Sequence, residues 1–438
     1  MSEALTFPTI EALEHRTDEL QAKKLPNVTI QVIGKSRSGR DIRMISIGQG
    51  ARSALILGVP HPNEPVGALT VEYLIDKILN DKTLQQLDIQ WHFIKAIDPE
   101  GLRLNEAWCT QPLTLRSYME NHFRPALARQ PEYTFPLNTD DYTFTQSTPE
   151  NLAWQKALDL VKPDFQSSLH HADHGGVFHI VSDNHAELSQ ALSDIAANSG
   201  LGVNPVGDPG AQAQPFAAGV FAFPNINAMI GGEGPIGWSA GNSGAHYAKK
   251  QFDTFSLTTE VPLWHDARLL DTSPSGKTLG DVLEFQLALF SELTALLKTH
   301  APSFEPYIET QDQREIFEAL KEWHVNADGF AAELTMAAGA VDPATPLPTH
   351  IYALRSQLTM AAMRPAGLMR RLSHDLVQHV ESEELLAAGT DASVFLDKAI
   401  MHFEEEATLE PVALSKLVQI QADAILLTLK HLATAKSK

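Results

Sequence analysis

The sequence has 438 residues, 43% hydrophobic and 20% charged, with 33 basic against 54 acidic side chains for a formal net charge of −21. So acidic a surface repels nucleic acid and anionic membrane, and neither is expected as a partner. The one cysteine, Cys109, excludes an intrachain disulfide and a cysteine-built zinc site, which leaves histidine and carboxylate to hold any metal.

The first thirty residues show no basic start followed by an apolar core, and no apolar run approaches the roughly 18 residues of a membrane span. The expectation is a cytoplasmic enzyme. Residues 8–24 read as a short amphipathic helix. Val28–Val32, Ile42–Ile47 and Ser53–Val59 read as strands by their β-branched and aliphatic content. A helix follows from Val66 to Asn80, with Leu69, Tyr73, Leu74 and Ile78 on one face, and then a strand at Ile89–Ile97. This alternation implies an α/β fold: a mixed, mainly parallel sheet with helices on both faces.

Residues 100–150, rich in Pro, Asn and aromatics, read as long loops. Phe165–Leu169, Asn225–Ile230 and Phe255–Thr259 are further strand candidates, and residues 231–244 hold six glycines in fourteen positions, as a loop would. A helix from Gly280 to Lys298 closes a first domain placed at 1–305. Residues 306–438 read as an all-α C-terminal domain, with breaks at 341–348 and at Arg364-Pro365-Ala366-Gly367. Its role is not readable from sequence, and a homo-oligomer formed through it is compatible with its helical character.

The strongest chemical signal is SALILGVPHPNEPVG, an apolar strand running into His61-x-x-Glu64 before a helix. Catalytic zinc takes three protein ligands and keeps one position open, and a His₂Glu set meets that need. Open α/β sheets bind ligands at strand carboxyl ends, which is where this pair falls. The third ligand comes from another strand end. His170 follows directly on the apolar strand residue Leu169. His171 would point to the opposite side of an extended chain, and His174 is expected in the following turn. Asp173 is a candidate for orienting an imidazole from behind. A hydrolytic zinc site also needs a carboxylate free of the metal, and Glu260 ends a β-rich run in Phe255-Ser-Leu-Thr-Thr-Glu260.

Together these segments, over about residues 8–300, resemble the zinc carboxypeptidase family. IGKSRSGRDI (33–42) is similar to the strand-turn signature that precedes the family's zinc site. Ile97-Asp98-Pro99-Glu100-Gly101 is similar to its Asn-Pro-Asp-Gly turn, with Asp98 and Glu100 as departures. The resemblance implies Zn²⁺ held by His61, Glu64 and His170, with Glu260 as general base and a peptide or amide as substrate. It implies Arg103 as the oxyanion-stabilising arginine. The family's Asn-Arg pair for a terminal carboxylate is missing, and Arg124 in Asn121-His122-Phe123-Arg124 is its nearest equivalent. Tyr247 matches the substrate-covering tyrosine, against the alternative of a packing residue near a helix start. Without the Asn-Arg pair, an amidase or deacylase on the same scaffold stands beside the carboxypeptidase, and a catalytically inactive binding module stands further off.

Two other motifs carry less. Gly232-Glu-Gly234-Pro-Ile-Gly237 spells a dinucleotide fingerprint, but Pro235 opposes the helix that motif requires. Gly237-Trp-Ser239-Ala-Gly241 spells a serine-hydrolase elbow, with Asp271 and His300 following, but lacks the strand before it.

Overall fold

The computed structural model describes residues 5–207, 214–224, 226, 230 and 239–435. Among them no helix is long and apolar enough to cross a membrane. Thr9 opens helix α1 (Ile10–Ala22) by accepting a hydrogen bond from Ala12 N. Strands β1 (Val28–Lys35), β2 (Asp41–Ile47) and β3 (Arg52–Leu57) follow, then α2 (Val66–Asn80), the short α3 (Lys82–Gln85) and β4 (Ile89–Ile94). β3 and β4 are parallel neighbours with α2 as their crossover, as the alternation implied.

The stretch expected as loops holds two helices, α4 (Pro99–Cys109) and α5 (Leu115–Asn121). Asp98 accepts from Gly101 N and Pro99 fills the first turn, so Asp-Pro-Glu-Gly is a helix start rather than a free turn. Strands β5 (Leu137–Asn138) and β6 (Thr143–Phe144) pair as a small ribbon before α6 (Pro149–Val161). Next come β7 (Phe165–His174), β8 (Phe178–Val181), α7 (Ala186–Asn198), β9 (Pro215–Ala217) and β10 (Val220–Ala222). The expected strand Asn225–Ile230 lies outside the described residues except at Ile226 and Ile230, and so do residues 231–238 of the glycine-rich stretch with the dinucleotide-like motif. Helix α8 (Gly244–Phe252), β11 (Phe255–His265), β12 (Pro274–Thr278) and α9 (Leu279–His300) complete this part.

Ten strands form one sheet in the order β1-β2-β4-β3-β7-β11-β8-β10-β9, with a two-residue strand, β14 (Glu410–Pro411), pairing β11. Its centre, β4-β3-β7-β11, is parallel throughout. Successive side chains of β3 alternate between faces. Ala54 and Ile56 join a core with Leu74 of α2, while Leu55 and Leu57 join one with Trp154 of α6 and Ala248 of α8.

The remaining chain is helical: α10 (Gln311–Gly339), α11 (Thr349–Leu376), α12 (Glu383–Glu406) and α13 (Leu414–Ala435), with β13 (Pro346–Pro348) paired to β12. The break at 341–348 is present, but the one at Arg364-Pro365 is not, because α11 runs through Pro365. A proline removes one backbone hydrogen bond. Here the buried row Ala362, Met363, Ala366, Leu368 and Met369 holds the helix in place despite that loss. Nor does residue 305 separate two cores. One apolar cluster joins Trp108, Tyr118 and Trp264 to Phe317, Met363 and Phe395, and Ala422, Ile425 and Leu429 of α13 sit in the sheet core. The cause is geometric: α13 covers the sheet beside α2 and completes the layer on that face.

Candidate active site

Strand β3 ends level with Ser168, while its parallel neighbours β7 and β11 run on with His170 and Glu260 inside them rather than at strand ends, and the chemically suggestive residues gather there. Beyond Leu57 the chain leaves β3 through Gly58 and Val59. A Cβ on Gly58 would stand 2.6 Å from Lys95 O and 2.8 Å from Ala68 N, so α2 approaches the strand this closely only because residue 58 is glycine. Val59 has φ of 58°, a left-handed conformation that costs a β-branched residue of order 1–3 kcal/mol. Ile97 N and Asp98 N hold it by bonding to the carbonyls of Gly58 and Val59. That strained corner turns His61 and Glu64 back over the end of β7, and Glu64 N closes the turn on His61 O at 3.0 Å.

His61, Glu64 and His170 form a buried group whose ligand atoms all lie within 4.8 Å of one another. The Glu64 carboxylate stands between the rings: Oε1 is 3.1 Å from His61 Nδ1 and Oε2 is 2.9 Å from His170 Nδ1. Two imidazole nitrogens and one carboxylate, shielded from water and converging on one point, are the donor set a catalytic zinc ion takes, and the residues fit that ion. β7 and β11 are in register here, with His170 opposite Glu260, and Glu260 Oε1 lies 3.8 Å from His170 Nδ1.

A second carboxylate backs the rings. Glu132, in a 3-10 turn opened by Pro131, places Oε2 at 3.3 Å from His61 Nε2 and 3.1 Å from His170 Nε2. Ser168 Oγ donates to Glu132 Oε1 at 3.1 Å. A carboxylate on the far nitrogen of a ligating histidine fixes the tautomer and the ring plane. Sequence reading passed over Glu132 because it lies in an irregular segment without a period. The one hint is a lone acid in the otherwise uncharged run Pro131-Glu132-Tyr133-Thr134-Phe135.

The charges are coupled. Burial and the nearby Arg124 guanidinium push the His61 imidazole from 6.5 down to about 4, against the pull of Glu64. Burial opposes protonation of His170 too, but Glu132 and Glu64 outweigh it and hold that ring well above its ordinary value. Burial would raise the Glu64 carboxyl, and the two histidines hold it well below the usual carboxylate range instead. A cation held here would take the place of the His170 proton.

Other expected residues are placed as follows. Arg124 joins the cluster: Nη1 donates to Glu64 Oε1 at 3.0 Å and Nη2 lies 3.0 Å from His61 Nε2. Arg103 does not, because α4 carries it outward to Asp312 Oδ1 at 2.5 Å, with Glu100 as its other partner. Tyr247 packs on Phe135 at 4.8 Å between ring centroids, as a helix residue in the core between α6 and α8. His171 offers the cluster its backbone N–H, 3.4 Å from Glu64 Oε2, and His174, inside β7 rather than in a turn, faces Asp266 at 3.4 Å. Asp173 orients neither ligand ring; it accepts from Tyr118 at 2.5 Å and pairs with Arg364 of α11. The serine-hydrolase order does not assemble: His300 bonds Asp391 at 2.9 Å and Asp271 accepts from Ser273 N at 2.8 Å.

The family model of zinc carboxypeptidases matches residues 13–124, a segment holding His61, Glu64 and Arg124. The match spans strands β1 to β4 and the His61–Glu64 turn, and stops before His170 and Glu260. Among solved structures, a metallo-carboxypeptidase from Burkholderia cenocepacia is similar at 17% identity over 58% of this chain and 60% of its own, with a TM-score of 0.37. Carboxypeptidase A from Helicoverpa armigera is similar at 17% identity over 59% of this chain and 66% of its own, with a TM-score of 0.39. The chain thus spans under two thirds of either structure, and at these scores the fold rests on the sheet described above. A search of curated proteins gives no match.

Proposed function

We propose that the chain is a zinc-dependent hydrolase of peptide or amide bonds, with the ion held by His61, Glu64 and His170. The observation that carries this reading is the shared rung of His170 and Glu260, which sets a carboxylate 3.8 Å from a ligand ring, with its side chain 16% exposed. A zinc ion held by these three residues would supply Lewis acidity for a carbonyl and a lowered pKa for water. Glu260 accepts the proton of the attacking water and returns it to the departing nitrogen. Glu132, 3.3 Å from His61 Nε2 and 3.1 Å from His170 Nε2, places its negative charge behind both rings. Arg124, 28% exposed at its side chain, is the cation that meets developing negative charge on the substrate.

The carboxypeptidase reading requires an arginine free to take a terminal carboxylate. The amidase or deacylase reading is favoured by one observation: the Arg124 guanidinium already bonds Glu64 and His61. The deciding experiment offers zinc-loaded protein one peptide with a free C-terminus and the same peptide amidated. Release of the last residue from the free acid alone supports a carboxypeptidase, and cleavage of the amide or of an N-acyl group supports the second reading. No hydrolysis of either peptide or of acyl-amides, at full zinc occupancy, would sink the hydrolase proposal.

A further inference from the structure

Behind the ligand strand lies one fully buried amide. Gln421, on α13, has no exposed surface. Its Nε2 donates to His170 O at 2.6 Å and to Thr259 O at 3.3 Å. Its Oε1 accepts from Thr70 Oγ1 at 2.6 Å. The orientation of the amide is not ambiguous: two carbonyls demand its N–H groups, and the single hydroxyl proton demands its oxygen. Thr70 Oγ1 also lies 3.3 Å from Val66 O, but its one proton goes to the shorter contact.

Each partner of this amide belongs to a segment that carries the site. His170 is itself a proposed ligand. Thr259 immediately precedes Glu260. Thr70 stands one turn into α2, whose first residues follow directly on Glu64. A side chain 251 residues from His170 in sequence therefore ties the three segments together at one point. The ladder between β7 and β11 fixes their register, and the amide adds a directional tie from α13 to both strands and to α2 that an apolar contact would not supply.

We propose that Gln421 is a positioning residue: through backbone and hydroxyl it fixes His170, Glu260 and the Glu64 helix at the separation that metal binding requires. The inference rests on the proposed metal site for its consequence, and on the hydrogen bonds alone for its mechanism. Partners that orient metal ligands from outside typically change metal affinity about 10–100-fold when removed, and the amide falls in that class although it works through the main chain.

The test compares full-length Gln421→Met with Leu429→Ala, a buried control on the same helix and in the same sheet core. Amide hydrogen exchange is read in peptides covering 165–174 and 255–265, and zinc affinity by competition with a chelator. Gln421→Met should speed exchange in both peptides several-fold beyond the control and lower zinc affinity about tenfold or more. The control should keep affinity within about twofold. Equal exchange in the two variants overturns the proposal, as does faster exchange with unchanged affinity, which makes the amide structural only. If Gln421→Met does not fold, Gln421→Asn keeps an uncharged amide but is one methylene too short to hold all three partners, and the same comparison applies. Should the wild-type chain bind no zinc, the metal reading fails, and the exchange arm still decides whether the amide ties the strands.

Discussion

Glu132 meets His170 on the side of the ring turned away from Glu64: its Oε2 is 3.1 Å from Nε2, while Nδ1 faces Glu64 Oε2 at 2.9 Å. Nε2 also lies 2.8 Å from Ser168 Oγ, which in turn donates to Glu132 Oε1, so serine and carboxylate together hold the ring with Nδ1 toward Glu64. Glu132→Gln should therefore weaken zinc binding about 10–100-fold without abolishing it. Chelator competition measures this directly, and unchanged affinity would remove Glu132 from the site.

His61→Ala, Glu64→Ala and His170→Ala should each leave too few ligands and lose stoichiometric zinc. His174→Ala should retain it, since that ring faces Asp266. His171→Ala should also retain it, because only its backbone reaches Glu64. Metal content per chain after gel filtration separates the two groups, and zinc loss confined to His171→Ala would show the site using the opposite face of β7.

Glu260→Gln separates binding from chemistry. Glutamine keeps the size and the strand register but cannot take a proton, so zinc should stay bound while turnover falls about 10²–10⁴-fold. Zinc content and kcat on one preparation decide it. Full zinc with normal turnover would assign the general base elsewhere.

Acid should destabilise the fold well before the carboxylates titrate. Burial lowers the His92 imidazole from 6.5 to about 4, and burial likewise lowers His179 from 6.5 to about 4. The unfolded chain binds these protons first as pH falls, so stability is full above about 6.5 and is lost progressively down to about 4. Each group accounts for up to about 3 kcal/mol at the acid end. His92→Gln should flatten the decline of the urea midpoint between pH 6.5 and 4. Identical slopes for the variant and the wild type would mean that His92 is already protonated in the folded state.

What sequence reading could reach depended on the range of the interactions involved. The β3–α2–β4 unit and the His61-x-x-Glu64 turn are local, and their periods and prolines announce them. His170 follows Leu169 and Glu260 ends a β-rich run, which is enough to single them out, but both strands run on past these residues and nothing in the chain announces that the two share a rung. Arg103 lies away from the cluster because Asp-Pro-Glu-Gly opens a helix that turns the side chain toward Asp312. Tyr247 packs on Phe135 from α8, a contact the chain alone does not announce. Amphipathicity declares that a helix has a covered face without saying what covers it. Hence the docking of α13 on the sheet, and of Arg364 on Asp173, had no signature in the chain.

The long reach of Gln421 also bears on when the protein can become competent. A ribosome adding ~5–20 residues per second needs on the order of ten seconds or more to travel from residue 260 to residue 421. Throughout that interval the emerging chain already carries His61, Glu64, His170 and Glu260. It lacks the helix that ties the strands and covers Leu169 and Leu257. Contacts this distant in sequence close late and slowly. A chain stopped short of α13 thus carries these four side chains without the amide that ties their segments, and assembly of the proposed centre waits for translation to pass α13.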